Sequence, residues 1–169
     1  MTAAFTLREP RPGDYGWVVQ AHGALYAREY GYDASFEGLV AGIVADYLKH
    51  LDPARERCWI ADIGGEPVGA VFCVRQSDAV AKLRLLILDP RARGLGIGRS
   101  LVEACIAFAR EAGYAKLSLW TQSDLAAARA IYVATGFRLV GAEPNRAFGK
   151  DLVSETWELE LRGSKSEYP

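Results

Sequence analysis

The 169-residue chain reads as an α/β fold, one mixed sheet with helices on both faces. Three observations carry that prediction. Strand-like and helix-period runs follow the order β-α-α-β-β-β-α-β-α-β-β along nearly the whole length. The run Leu83 to Leu88 (LRLLIL) is too apolar for a strand with one wet face, so it belongs inside a sheet. Shortly after it, Gly94, Gly96 and Gly98 separate that strand from a helix.

The elements follow in order. Phe5 to Arg8 is a short strand. Pro12 suits a first helical turn and Asp14 the positive end of the helix dipole. Trp17, Val18, Ala21 and Leu25 then share one face, and Gly31 ends the helix. Ser35 has the chemistry of an N-cap for a second helix, which carries Leu39, Val40, Ile43, Val44, Tyr47 and Leu48 and closes by Pro53. Cys58 to Ile63 and Pro67 to Val74 are strands joined by a tight turn at Gly64-Gly65. After a turn at Gln76, Ser77 and Asp78, the strand Ala81 to Leu88 runs until Asp89-Pro90. A helix from about Gly96 to Ala112 shows the stripe Leu101, Val102, Cys105, Ile106 and Ala109, with Gly113 as its stop. Lys116 to Trp120 is a strand. Thr121 and Asp124 have the form of a capping box and predict a helix from there to about Thr135. Phe137 to Val140 starts another strand, and Glu155 to Leu161 alternates like a last one. Residues 1–161 are expected to form one domain, with 162–169 as a polar tail.

Composition narrows the function classes. Half the residues are hydrophobic and 24% are charged, the balance of a soluble globule with a real core. The net charge of -1 and pI near 6.1 offer no basic surface to nucleic acid or an anionic membrane. No run approaches the ~20 apolar residues of a bilayer span, and MTAAFTLREP lacks the pattern of a signal peptide. Cys58, Cys73 and Cys105 sit in apolar runs, which reads as buried thiols in a reducing cytoplasm. Two histidines, His22 and His50, are too few for most metal sites, so no metal is expected.

The glycine turn carries the chemistry. Side-chain-free residues at a helix N-terminus expose successive amides where the dipole also favours negative charge, a ready phosphate site. Arg93 and Arg99 stand ready to add charge-assisted bonds. The spacing fits neither nucleotide motif. A P-loop needs one more residue between Gly94 and Gly98 and a lysine in place of Arg99. A dinucleotide fingerprint needs GxGxxG directly after its strand and a ribose-binding acid after the next.

The segment Arg93-Gly94-Leu95-Gly96-Ile97-Gly98 resembles the [RQ]-x-x-G-x-[GA] signature of the GNAT superfamily of N-acetyltransferases. Ala128-Arg129-Ala130-Ile131-Tyr132 followed by Gly136-Phe137 is similar to that family's A-x-x-x-Y-x-x-x-G-F run. The element order fits over residues 5–161. The stretch LWTQSDLAAARAIYVATGFRLV also resembles the acetyltransferase halves of proteins fused to MarR-type regulators.

The resemblance implies a GNAT-like acyl-CoA N-acyltransferase fold, with fourth and fifth strands splayed apart and acetyl-CoA as co-substrate. Amides from Gly94 to Arg99, with Ser100 next to them, would hold the CoA diphosphate, and the main chain of Leu86, Ile87 and Leu88 the pantetheine arm. Leu88 N–H would face the developing oxyanion, and Tyr132 would protonate the leaving thiolate. Arg129 would turn either to the CoA phosphates or to solvent. Leu125 stands where the family often has Asn, so Gln122 or Ser123 would substitute or the bond is missing. Lys82 to Arg84 lacks the acid many members place on the fourth strand, which leaves the general base unassigned. Tyr26, Glu29 and Tyr30, between the first two helices, would receive a small amine or a peptide or protein amine, with Glu29 binding or deprotonating it. Lysine and arginine nearby would favour an acceptor that also carries a carboxylate, but the sequence does not show which face they occupy. A homodimer is left open by the resemblance. The rival reading is a CoA-binding sensor, or partner of a regulator, without turnover.

Overall fold

The computed structural model describes residues 4–162. Its elements are β1 (Thr6–Arg8), α1 (Asp14–Tyr30), α2 (Ala34–His50), β2 (Arg57–Ile63), β3 (Glu66–Arg75) and β4 (Val80–Leu88), then a 3-10 turn (Pro90–Ala92), α3 (Ile97–Glu111), β5 (Lys116–Gln122), α4 (Ala126–Ala134), β6 (Arg138–Ala147) and β7 (Lys150–Glu160). The sheet order is β1-β2-β3-β4-β5-β7-β6, parallel at β4–β5 and antiparallel elsewhere. Element order and mixed sheet match the sequence reading. Of the expected tail, only Arg162 falls among the described residues.

Local chemistry explains most boundaries. Gly64 and Gly65 both take positive φ, which the two-residue β2–β3 turn requires. The cap of α2 is Asp33, not Ser35: the Asp33 carboxylate accepts from Ser35 N–H at 3.0 Å. The expected capping box at Thr121 and Asp124 is not made. β5 runs on to Gln122 because β7 continues to pair with it, through Thr121 opposite Glu155 and Gln122 opposite Ser154. The helix therefore starts only at Ala126, with no side-chain cap. β6 and β7 form one long hairpin: β6 continues from its expected start to Ala147, and β7 begins at Lys150, ahead of the expected Glu155.

Two apolar clusters hold the sheet. Val71, Cys73, Leu83, Leu101, Cys105 and Leu117 belong to the one under α3 and α4. Val18, Val40, Val44, Ile60, Phe72 and Ile87 belong to the one under α1 and α2. All three cysteines are buried and free. Arg8 ties β1 to α1 and β2 by ion pairs with Asp14 and Asp62, each 2.6 Å. Among the described residues no helix is long and apolar enough to cross a membrane.

One irregularity positions the site. β4 and β5 pair only at Val80–Lys116, Ala81–Leu117 and Lys82–Ser118, and then part. On its other edge β4 bulges. Phe72 stands opposite Arg84 and Ala70 opposite Ile87, so Leu85 and Leu86 share the place opposite Val71. Leu85 takes a left-handed φ of 54° to do so.

His22 is 2% exposed, and its Nδ1–H donates to Val18 O at 2.7 Å. Burial lowers its pKa from 6.5 to about 4. The unfolded chain therefore binds this proton more readily, and the stability from the neutral ring is full above pH 6.5 and lost as pH falls toward 4. The loss is expected to reach about 3 kcal/mol. Arg8 holds Asp14 and Asp62 below 3.8, so their contribution disappears only at lower pH. Urea unfolding against pH should show the His22 slope, and His22→Gln should flatten it between pH 6.5 and 4.

Candidate active site

The splay leaves main-chain groups of β4 without a strand neighbour, and the register identifies them. Asp89 N–H donates to Val68 O at 2.7 Å, and Ala70 faces Ile87. Hydrogen-bonding direction alternates along an antiparallel strand. Residues 87 and 89 thus turn their peptide groups toward β3, while Leu86 and Leu88 turn theirs into the gap. Ile87 has its main chain committed to β3, so it contributes to the gap only as wall.

Two cavities meet there. The first, about 910 Å³ counting its open mouth, is lined by Leu86, Leu88, Arg93, Gly94, Gly98 and Ile131 among others. The second, about 770 Å³ on the same measure, lies under α1 and α2; His22, Tyr32, Arg84, Gln122, Tyr132 and Phe148 are among its walls. Tyr26, Leu86, Leu125 and Ala128 line both and mark the passage between them.

The glycines of the loop have separate reasons. Gly94 and Gly96 hold φ of 81° and 76°, a region unfavourable to side chains. Gly98 has ordinary φ, but a Cβ there would meet Ile131 Cδ1 at 2.8 Å, so it sets how closely α3 approaches α4. Ile97 is fully buried and anchors the turn. Gly96 caps α3 with no side-chain hydrogen bond, which leaves the first helical amides for a ligand. Ser100 N–H already donates to Gly96 O at 3.1 Å and is not one of them. The Arg93 guanidinium holds both oxygens of Glu29 at 2.7 Å. Arg99 pairs instead with Glu103 at 2.9 Å and lines neither of these cavities, so its side chain adds nothing to the anion site.

Tyr132 is 4% exposed, with its ring against Phe137 and Trp157. Its hydroxyl has no hydrogen-bond partner among the described residues, and burial raises its pKa above 10, so the phenol stays protonated. Arg129 is not turned to the loop: its guanidinium grips Glu155 at 2.8 and 3.1 Å, with 36% of its side chain exposed to solvent. Gln122 accepts from Ser154 Oγ at 3.3 Å, and its buried Nε2 has no partner. Ser123 lines neither cavity, and its N–H is committed to Val153 O. Leu125 puts an apolar side chain at the passage.

The acceptor side differs most from the sequence reading. Glu29 and Tyr30 line the first cavity beside Arg93, not the second. Asp33 is used as the α2 cap. The α1–α2 connection therefore brings aromatic rings but no carboxylate to the second cavity. Sequence reasoning missed Phe148, which reaches it from the β6–β7 turn at a left-handed φ of 56° and packs on Tyr32 and Phe36 at 5.1 and 5.0 Å between ring centroids. It also left Lys82 and Arg84 unplaced. They alternate with Ala81 and Leu83, which pack toward α3, and so face the second cavity. Among the described residues no group of three or more His, Cys, Asp or Glu converges as a metal site.

Comparison with known proteins gives the same fold. The model of the acetyltransferase (GNAT) family matches residues 19–137. N-acetylaspartate synthetase of Danio rerio is 32% identical over 145 residues, 83% of this chain and 49% of that protein. N-acetyltransferase 8F1 of Rattus norvegicus is 30% identical over 103 residues, 58% of this chain and 47% of that protein. The chain thus spans about half the length of these curated relatives. The yncA structure from Salmonella typhimurium, solved with its cofactor acetyl-CoA, has a TM-score of 0.76 at 16% identity and covers 98% of this chain and 99% of that one.

Loop strain is measurable against an internal control. Gly94→Ala and Gly96→Ala should each cost about 1–2 kcal/mol in urea unfolding, because the side chain resists positive φ. Gly42→Ala, on open space in α2, should instead stabilise by about 0.5–1 kcal/mol.

Proposed function

The chain belongs to the acetyltransferase (GNAT) family, and from that premise we propose that it transfers the acetyl group of acetyl-CoA to a primary amine by direct attack, with both substrates bound together. One observation supports this above the others. Two cavities that share four wall residues meet at the gap between β4 and β5, and Tyr132, whose hydroxyl has no partner among the described residues, lines one of them.

The residues present fit the coenzyme. The uncapped amides of Ile97, Gly98 and Arg99 suit a diphosphate, and the Arg93 guanidinium adds charge at the mouth. The free peptide groups of Leu86 and Leu88 offer strand-like hydrogen bonds to an amide-bearing arm. Leu125 closes the passage with apolar contact where the family pattern has a hydrogen bond. When bound, acetyl-CoA supplies an activated thioester.

The chain's own groups then act on the transfer. Leu88 N–H donates to the oxygen that gains charge as the amine attacks. The new C–N bond forms, the C–S bond breaks, and Tyr132 gives its proton to the departing sulfur. The amine loses its proton to water, from which the phenol is restored. No carboxylate among the described residues lines the second cavity, so none of them serves there as base. The walls of α1, α2 and the β6–β7 turn enclose a small amine better than a protein surface.

Thiol release from acetyl-CoA across a panel of amines tests the reading. Tyr132→Phe should lower kcat by roughly 100-fold or more and leave coenzyme affinity within about threefold. Burial holds the Tyr132 phenol protonated, so the wild-type rate should show no alkaline decline from this group below pH 10. Glu29 gives a second check. Glu29→Gln releases Arg93 and should tighten coenzyme binding about two- to fivefold at low salt, with kcat little changed. A large fall in kcat would restore Glu29 as the base.

A further inference from the structure

We infer, resting on the acetyl-transfer reading, that the accepted amine carries a carboxylate, held in the second cavity by Arg84, Lys82 and the free amide of Gln122. All three line that cavity and all three offer only donors to it. Gln122 Nε2 is buried with no hydrogen-bond partner, while its Oε1 is fixed by Ser154. A buried orphan donor in a native protein calls for an acceptor. Lys82 and Arg84 sit two apart on β4, half-buried, and neither has an ion-pair partner among the described residues. Burial and the repulsion between them disfavour the charge on Lys82, and burial disfavours it on Arg84. Asp46 is the acid felt by Arg84, beyond ion-pair distance.

No carboxylate among the described residues lines this cavity, and three of those near it are engaged elsewhere. Glu29 holds Arg93, Asp33 caps α2, and Asp124 accepts from the Tyr32 hydroxyl at 2.9 Å. The cavity is therefore a cationic pocket with an aromatic wall of Tyr26, Phe36, Trp120 and Phe148. A planar carboxylate matches the guanidinium fork, and the wall takes the rest of the molecule. A polyamine, by contrast, meets two cations and no acid. An α-amino acid places its amine one carbon from such an anchor, so the anchor orients the nucleophile toward the passage at Tyr26 and Leu125.

Matched acceptors test this with the full chain: phenylalanine against 2-phenylethylamine, leucine against 3-methylbutylamine, with aspartate, glutamate and spermidine alongside. Amino acids should exceed their matched amines at least about tenfold in kcat/KM. Arg84→Gln should raise KM for the amino acids roughly 10- to 100-fold and leave the matched amines within about twofold. Lys82→Gln should act in the same direction. Coenzyme titration of both variants, neither changed at the coenzyme cavity, confirms that they fold. Equal use of the amines or of spermidine, or equal KM shifts for both members of a pair, would overturn the inference. If no acceptor releases thiol, thermal shift with the same amino acids decides separately. Stabilisation that Arg84→Gln abolishes upholds the carboxylate site and refutes acetyl transfer, and no stabilisation refutes the site.

Discussion

Strands β4 and β5 support each other over three residue pairs and then separate, and the remaining geometry of the site follows from that separation. A sheet interior that stops pairing leaves peptide groups unsatisfied, which a buried strand cannot sustain without a partner of some kind. Leu86 and Leu88 are the residues left in this condition, because the bulge at Leu85 fixes which way they point. The gap opens at the carboxyl ends of two parallel strands. There β4 leads directly into the turn before α3, and β5 into the turn before α4. Helix dipole, free strand edge and the buried tyrosine are thus brought together by one departure from regular pairing, not assembled separately.

Charge is distributed to suit that opening. Three carboxylates near the two cavities have committed partners: Glu29 with Arg93, Asp124 with Tyr32, Glu155 with Arg129 and the Trp157 indole. The last of these explains why Arg129 stays out of the first cavity, since leaving Glu155 would strand a carboxylate that is 4% exposed. Among the described residues that line the second cavity, the charge is all positive, on Lys82 and Arg84. Although the net charge is -1, the site itself is cationic, which whole-chain composition averages away.

The legible parts of the sequence were those set by neighbours along the chain. The Gly64-Gly65 hairpin, the buried strand before the glycine turn and the amphipathic stripe of α3 each follow from residues a few places apart. The parts misread depend on partners far away. Thr121 and Asp124 have the right spacing for a cap, but β7 captures Thr121 and Gln122 into the sheet, and nothing local announces that. Glu29 meets Arg93 across 64 positions, so its place on the wall of the first cavity was invisible. The end of β6 was not marked, because Arg138–Ala147 lacks alternation and contains Pro144. Both are tolerated on the outermost strand, whose far edge pairs with nothing in the sheet. For Lys82 and Arg84, the period of two gave a shared face but not which face, a choice made only by the packing of Ala81 and Leu83 under α3.

Among the described residues, the non-glycine positions with positive φ are Leu85 and Phe148, and both line the second cavity. Each conformation costs about 1–2 kcal/mol for an ordinary side chain. Neither has glycine's excuse, so packing must hold it. Leu85 is gripped by the cluster under α1 and α2, and Phe148 by the rings of Tyr32 and Phe36. The strain thus has a structural consequence on each wall. At Leu85 it turns β4 away from β5 and opens the floor of the cavity. At Phe148 it folds the β6–β7 turn back over the α1–α2 connection and closes the side. The second cavity is accordingly not a space left between well-formed elements. It is shaped where two backbones are forced out of their preferred region and fixed there by the aromatic and aliphatic contacts around them.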